Sequence, residues 1–271
     1  MRLRLTILAA LAVFVAFASL TPEDLLSSGS DAPDAVSPAA AEFPVDAVPA
    51  DAETNVASSP DENSVHAALE RLGPLVRNTS HRDALRYAFQ AYYAYRSANP
   101  GNVRNPYFYY VDFGLDSRQP RGYVFDMERL SIVDGPFTVA HGSGSANGAV
   151  GVPTRFLNRR GSNATSLGLY LAQETYNFSG KAGGRRYRSI GLRLKGLSGS
   201  FNSNARSRGI VVHGAPYVTS QKAGRSQGCP AMGLDRAQRL IPMIANGGLV
   251  FHFSPRDTQW MRGDPWGTRA S

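Results

Sequence analysis

The stretch from Gly209 to Phe253 decides how this chain is read. It opens with Gly209-Ile210-Val211-Val212-His213-Gly214 and passes through a polar loop to Gly224-Arg225-Ser226-Gln227-Gly228-Cys229-Pro230-Ala231. It then runs from Leu234 to Asn246-Gly247-Gly248 and closes on Leu249-Val250-Phe251-His252-Phe253. The first run is short, β-branched and apolar, and predicts a strand over 209–212. Leu234, Ala237, Leu240, Ile241 and Ile244 recur at helical spacing, and Asn246-Gly247-Gly248 stops that helix. Leu249–Phe253 reads as a second strand. The only cysteine, Cys229, stands between strand and helix, sixteen positions after His213. Pro230 and the periodic run behind it place Cys229 at the start of the helix. A free cysteine is ordinarily a small buried hydrophobe. Here the residues before it are turn-formers and polar groups, and a histidine ends the neighbouring strand. Cys229 is therefore also a candidate nucleophile, because a thiol needs a base or a positive potential to react near neutral pH.

Working outward, Ser80-His81-Arg82-Asp83 has the pattern of a capping box, and Ala84, Leu85, Ala88, Phe89, Tyr92 and Tyr95 follow at helical spacing up to Asn99-Pro100-Gly101. A shorter helix is expected over Asn63–Leu72. The aromatic residues of this helix pair read as packing groups. From Tyr107 the runs are short, aromatic or β-branched, and broken by Gly, Pro, Asp and Asn. They predict strands near Tyr107–Phe113, Gly122–Met127, Phe137–Ala140, Leu167–Thr175 and Ser189–Leu194. Two helices, a run of strands, one helix and a final strand make a mostly β domain with flanking helices, of the α+β class.

The N-terminus has a different character. Arg2 and Arg4 precede an apolar run from Leu5 to Leu20, and Ala16-Phe17-Ala18 supplies a small-x-small cleavage pattern. Residues 1–18 read as a signal peptide, with an uncleaved anchor as the alternative; the run is short of the ~20 residues of a comfortable membrane span. No later stretch is apolar enough to cross a bilayer. Residues 19–62 are rich in Ala, Pro, Ser, Asp and Glu and read as a flexible acidic tether. Residues 1–62 carry two basic and ten acidic side chains (−8), and residues 63–271 carry 27 and 11 (+16), which together make the net +8. A basic domain behind a leader fits an anionic envelope polymer, or else carries solvated charges only. Its arginines are scattered and no nucleic-acid signature accompanies them. One cysteine allows no intramolecular disulfide, and the five histidines show no metal-ligand spacing, so no metal or other cofactor is expected.

Val211-Val212-His213-Gly214 with Gly224-Arg225-Ser226-Gln227-Gly228-Cys229-Pro230-Ala231 resembles the active-site signature of the L,D-transpeptidases (YkuD-type), most closely the divergent murein L,D-transpeptidase catalytic branch. Val111-Asp112-Phe113, Val139-Ala140-His141-Gly142, Leu167-Gly168-Leu169-Tyr170, Glu174-Thr175-Tyr176 and Asn202-x-Asn204-Ala205-Arg206-x-Arg208 carry the likeness further, from roughly Ala84 to Ser254. The resemblance implies a β-sandwich with the nucleophile at a strand-to-helix junction, a catalytic domain over 63–255, and a tail over 256–271. It also implies an exported, periplasmic or envelope enzyme that forms a Cys229 thioester from peptidoglycan stem peptides and passes the acyl group to an amine. Transfer to water would make it a carboxypeptidase or crosslink hydrolase, and a silent wall-binding module is the third reading. Two departures stand out. Gln227 occupies the place of the commoner motif's second histidine, and Pro230-Ala231 replace its aliphatic–arginine pair.

Within that frame Cys229 is the nucleophile, with a helix terminus expected to lower its pKa. His213 is the base and later the acid, oriented by a backbone carbonyl such as that of Gly214. The N–H groups of Gly228 and Cys229 form the candidate oxyanion hole. Substrate-binding candidates are Ser226 (lining the site, or bracing the loop), Arg225 (replacing the missing arginine, or pairing on the surface), Gly214, Tyr217 and His141, the last two with packing or structural roles as the alternative.

Overall fold

The structure is a computed structural model that describes residues 62–268 apart from Ala149. The leader and the tether fall outside the described residues, except for Glu62. Helices α1 (Glu62–Leu72) and α2 (Ala84–Ala98) come first. Strands β1 (Tyr107–Asp112), β2 (Gly122–Asp126), β3 (Ser131–Phe137), β4 (His141–Gly142), β5 (Gly168–Ala182), β6 (Arg185–Gly196), β7 (Val211–Gly214), β8 (Arg225–Ser226) and β9 (Ala231–Met232) follow. Helix α3 (Leu234–Ile244), strand β10 (Leu249–Phe253) and helix α4 (Thr258–Gly263) complete the chain. The fold is mostly β with a few flanking helices. Eight strands form one sheet in the order β3-β2-β1-β10-β5-β6-β7-β9, and β4 pairs with β8 in a second ladder. The β1–β10, β7–β9 and β4–β8 pairs are parallel, and the others are antiparallel.

Alternation along the strands divides the core in two. Phe108 and Tyr110 of β1 with Leu249, Phe251 and Phe253 of β10 pack against the stripe Leu85, Ala88, Phe89 and Tyr92 of α2. Tyr109, Val111 and Val250 point the other way, to Ala237, Leu240, Ile241 and Ile244 of α3. Each large apolar side chain so buried contributes about 1.5–3 kcal/mol.

Several expectations change in the folded chain. Ser80 does not cap α2; its N–H and hydroxyl both donate to the Asp112 carboxylate, at 2.7 and 2.5 Å. The strand expected at Phe137–Ala140 lies earlier, as β3, and ends at Phe137; Ala140 makes only an isolated bridge to Ala231. The strands expected at Leu167–Thr175 and Ser189–Leu194 extend into a long hairpin. Its two-residue turn, Gly183 (φ 55°) and Gly184 (φ 73°), takes the doubly left-handed form that matches strand twist. Polar residues in its outer half hid it from a reading of hydrophobic runs. Helix α3 does not begin at Cys229: β9 intervenes, and the helix starts only at Leu234.

Residues 256–268, read from sequence as a tail, join the first core. Trp260 of α4 is fully buried, with ring centroids 5.9 Å from Phe251 and 5.7 Å from Phe253. Trp266 donates from Nε1 to the Leu197 carbonyl at 2.8 Å. No helix among the described residues is long and apolar enough to cross a membrane. Removal of Trp260 should leave a large void, so Trp260→Ala is expected to cost ~3–5 kcal/mol in a denaturant titration. A loss under about 1 kcal/mol would make α4 peripheral to the core.

Candidate functional site

Strand β7 carries His213 between two partners, opposite Gly191 of β6 and Ala231 of β9. The parallel β7–β9 register sets Ala231, two residues after Cys229, beside His213, and the backbone of Val211, two residues before His213, bears on the cysteine sulfur. Sequence distance is thereby converted into proximity. The His213 ring is buried and stacks on Phe178 of the hairpin, centroids 4.1 Å apart and planes 13° apart. Its Nδ1 lies 2.9 Å from the Gly214 carbonyl oxygen. A carbonyl can only accept, so Nδ1 carries the proton and Nε2 presents a lone pair. Burial lowers the imidazole pKa to about 4, which the Gly214 hydrogen bond opposes, and the ring is neutral at pH 7.

Cys229 is half-buried. Its Sγ donates to the Gly209 carbonyl at 3.8 Å rather than to His213, and the backbone of Val211 hydrogen-bonds the sulfur. Burial pushes the thiol up to about 11, against the pull of Val211 and of the Arg208 charge. This reverses the expected depression, and for a physical reason. With α3 starting at Leu234, no helix terminus stands at the sulfur. Tyr176, Tyr187 and Tyr217 all lie close enough for their phenols to feel the thiol's charge, and burial raises all three.

The loop before the cysteine is held by its own backbone. Gly228 has φ +116°, and a Cβ there would come within 2.9 Å of Ile210 Cδ1 and 3.0 Å of the Ala164 carbonyl oxygen. Glycine is required at this position. A Cβ at Gly142 would in turn lie 2.7 Å from the Gly228 Cα. Ser226 Oγ donates to the Cys229 carbonyl at 2.6 Å and accepts from the Gly228 N–H at 3.2 Å. Its hydroxyl therefore braces the turn. That bond occupies one of the two N–H groups expected in the oxyanion hole, whereas the Cys229 N–H has no hydrogen-bond partner among the described residues.

The remaining candidates separate. His141 sits behind the loop on β4, paired in register with Arg225 of β8. Its Nδ1 accepts from Arg121 Nη2 at 2.9 Å, which puts the proton on Nε2 and leaves no accepting nitrogen for base chemistry. Burial, then the charges of Arg121 and Arg225, lower it to about 3. Arg225 thus bears on His141. Gly214 supplies the carbonyl for His213 and donates its N–H to Ser189 Oγ at 3.1 Å. Tyr217 packs over Gly224 and against Tyr187, rings 6.5 Å apart. Phe178, Tyr176, Tyr187 and Arg208 complete the surroundings. Sequence reading passed over them because they lie on the hairpin or ahead of β7, away from the motif, although Tyr176 and Arg208 stand in stretches that carried the resemblance.

A family model of the L,D-transpeptidase catalytic domain matches residues 77–253. The chain belongs to the L,D-transpeptidase catalytic-domain family. Among solved structures it is similar to an L,D-transpeptidase from Mycobacterium smegmatis, at 15% identity and a TM-score of 0.32, over 55% of this chain and 59% of that one. The chain thus spans less than two thirds of that structure. An L,D-transpeptidase from Xylanimonas cellulosilytica is similar at 15% identity and a TM-score of 0.31, over 72% of this chain and 95% of that one. No curated protein matches the chain by sequence.

The raised thiol has a direct consequence. Alkylation of Cys229 by iodoacetamide, followed by intact-protein mass, should keep rising with pH from 7 to 10, by about tenfold per unit while the thiolate is the minor form. A rate that levels off below pH 8 would show a thiol poised near neutrality.

Proposed function

We propose that this L,D-transpeptidase-family protein is an exported cysteine acyltransferase of the cell envelope acting on peptidoglycan stem peptides. The supporting observation is the pairing that brings the segment just after Cys229 beside His213, with Nε2 of His213 left as the accepting nitrogen. Both groups are neutral at pH 7, so proton transfer accompanies attack instead of preceding it. The thiol proton passes to Nε2 as Sγ bonds to the donor carbonyl carbon. The Gly214 carbonyl, accepting from Nδ1–H, steadies the imidazolium that forms. The developing oxyanion is met by the Cys229 N–H, the donor that Ser226 does not occupy. As the C–N bond breaks, the imidazolium returns its proton to the departing amine and a thioester remains. An acceptor amine then attacks the thioester, loses its proton to Nε2, and expels the sulfur, which regains a proton.

Incubation with a tetrapeptide stem donor should give a covalent adduct on Cys229 by intact-protein mass spectrometry, absent in Cys229→Ser. His213→Ala should slow its formation by ~10²–10⁴ while keeping the native melting temperature. Substantial turnover by folded Cys229→Ser would remove the cysteine from the mechanism. Release of an amide-linked product, as against a free acid, reports transfer over hydrolysis.

The basic surface supports an envelope partner. Arg185, Arg186 and Arg188, beside the hairpin turn, are exposed and pair with no acidic group among the described residues. Co-sedimentation of the protein with isolated cell wall should fall as salt rises, because exposed charges are screened beyond ~8 Å at physiological ionic strength. Replacing the three arginines by glutamine should weaken it further. Binding indifferent to both changes would mean that these charges are only solvated.

A further inference from the structure

We propose that Arg208 is the positioning cation of the site, a residue that steadies negative charge on the Cys229 sulfur and fixes the wall behind Gly228. This rests on the reading of Cys229 as nucleophile. Arg208 lies one residue before Gly209, whose carbonyl accepts from Sγ at 3.8 Å, and three before Val211, whose backbone hydrogen-bonds the sulfur. Its half-buried guanidinium donates to the carbonyls of Leu157 (2.8 Å) and Ala164 (2.6 Å) and to the hydroxyls of Ser166 (2.5 Å) and Ser162 (3.2 Å). Every one of these acceptors is neutral. Four other arginines of the domain have carboxylates: Arg236 and Arg239 share Asp134, and Arg193 and Arg206 share Glu174. Among the described residues Arg208 has no such partner, so its positive charge is held in place without being cancelled.

Two consequences follow from that geometry. The Ala164 carbonyl that Arg208 grips is the atom a Cβ at Gly228 would meet at 3.0 Å, so the guanidinium anchors the surface against which the loop is seated. The uncancelled charge also reaches the sulfur, and each group bears on the other's ionisation. The other titratable groups around Cys229 add no charge at neutral pH. Tyr176 and Tyr187 from the hairpin and Tyr217 after β7 are phenols raised by burial, and His213 on β7 is neutral. When attack or thioester breakdown places negative charge on sulfur, Arg208 is the fixed cation that meets it. It supplies from a neighbouring loop the positive potential that no helix terminus provides here.

The test is the rate at which Sγ displaces iodide from iodoacetamide between pH 7 and 10, with fold checked by circular dichroism. Arg208→Met should lower the rate at every pH in that range, by about tenfold for each unit that the thiol pKa rises. Arg208→Lys, which keeps the charge, should retain most of the rate. Ser162→Asp, in a variant that keeps Arg208, puts a carboxylate against the guanidinium and should slow alkylation as well. It decides the matter if Arg208→Met does not fold. Wild-type rates in folded Arg208→Met or Ser162→Asp would overturn the proposal, as would a lysine variant as slow as the methionine one. Because alkylation needs no donor peptide, a protein that shows this dependence yet forms no thioester would count against the acyltransferase reading and leave the electrostatic role of Arg208 standing.

Discussion

The parallel pairing of Ala231–Met232 with His213–Gly214 is the constraint on which the site depends. It takes the chain after Cys229 into the sheet instead of into a helix. The pairing therefore brings the chain just after Cys229 beside His213 and denies the cysteine a helix terminus. One hydrogen-bonded register thus joins the segments that carry Cys229 and His213 and removes a local source of positive potential. The positive charge that bears on the thiol is that of the Arg208 guanidinium, held ahead of β7.

Burial sets the electrostatic state of the pair. Phe178 stacks on the His213 ring, three tyrosines lie within electrostatic reach of the thiol, and desolvation is the largest influence on both groups. A charged form is disfavoured on each: the imidazole is lowered and the thiol raised. A preformed thiolate–imidazolium pair would require opposing charges strong enough to outweigh that loss of hydration. A single hydrogen bond from Val211 and one cation do not reach it. Both groups are therefore neutral at pH 7.

Around this pair the polar groups mostly serve the backbone. Ser226 closes the turn across Gln227, Gly142 and Gly228 allow four segments to approach closely, and Arg121 hydrogen-bonds His141 on β4. Arg121 is fully buried, bonded to the carbonyls of Leu115 and Val139, and its pKa is lowered to about 9 by burial.

The amino-acid sequence by itself determined the fold class, the apolar stripes of α2 and α3, the strand Leu249–Phe253 and the two residues of the candidate pair, because each is written in local periodicity or in a contiguous motif. It also pointed to a backbone carbonyl as the partner of His213. The length of the β5–β6 hairpin, the interposed strand β9, the incorporation of Trp260 into the core and the diversion of Ser80 to Asp112 were decided by tertiary structure. So were the acceptor role of His141 Nδ1 and the charge of Arg208 at the sulfur. For β9, Ser80, His141 and Arg208 the deciding partner lies well away along the chain, and the polar outer half of the hairpin carries no hydrophobic signal. A side chain's ionisation and its hydrogen bonds follow from what surrounds it in space, which residue order alone does not specify.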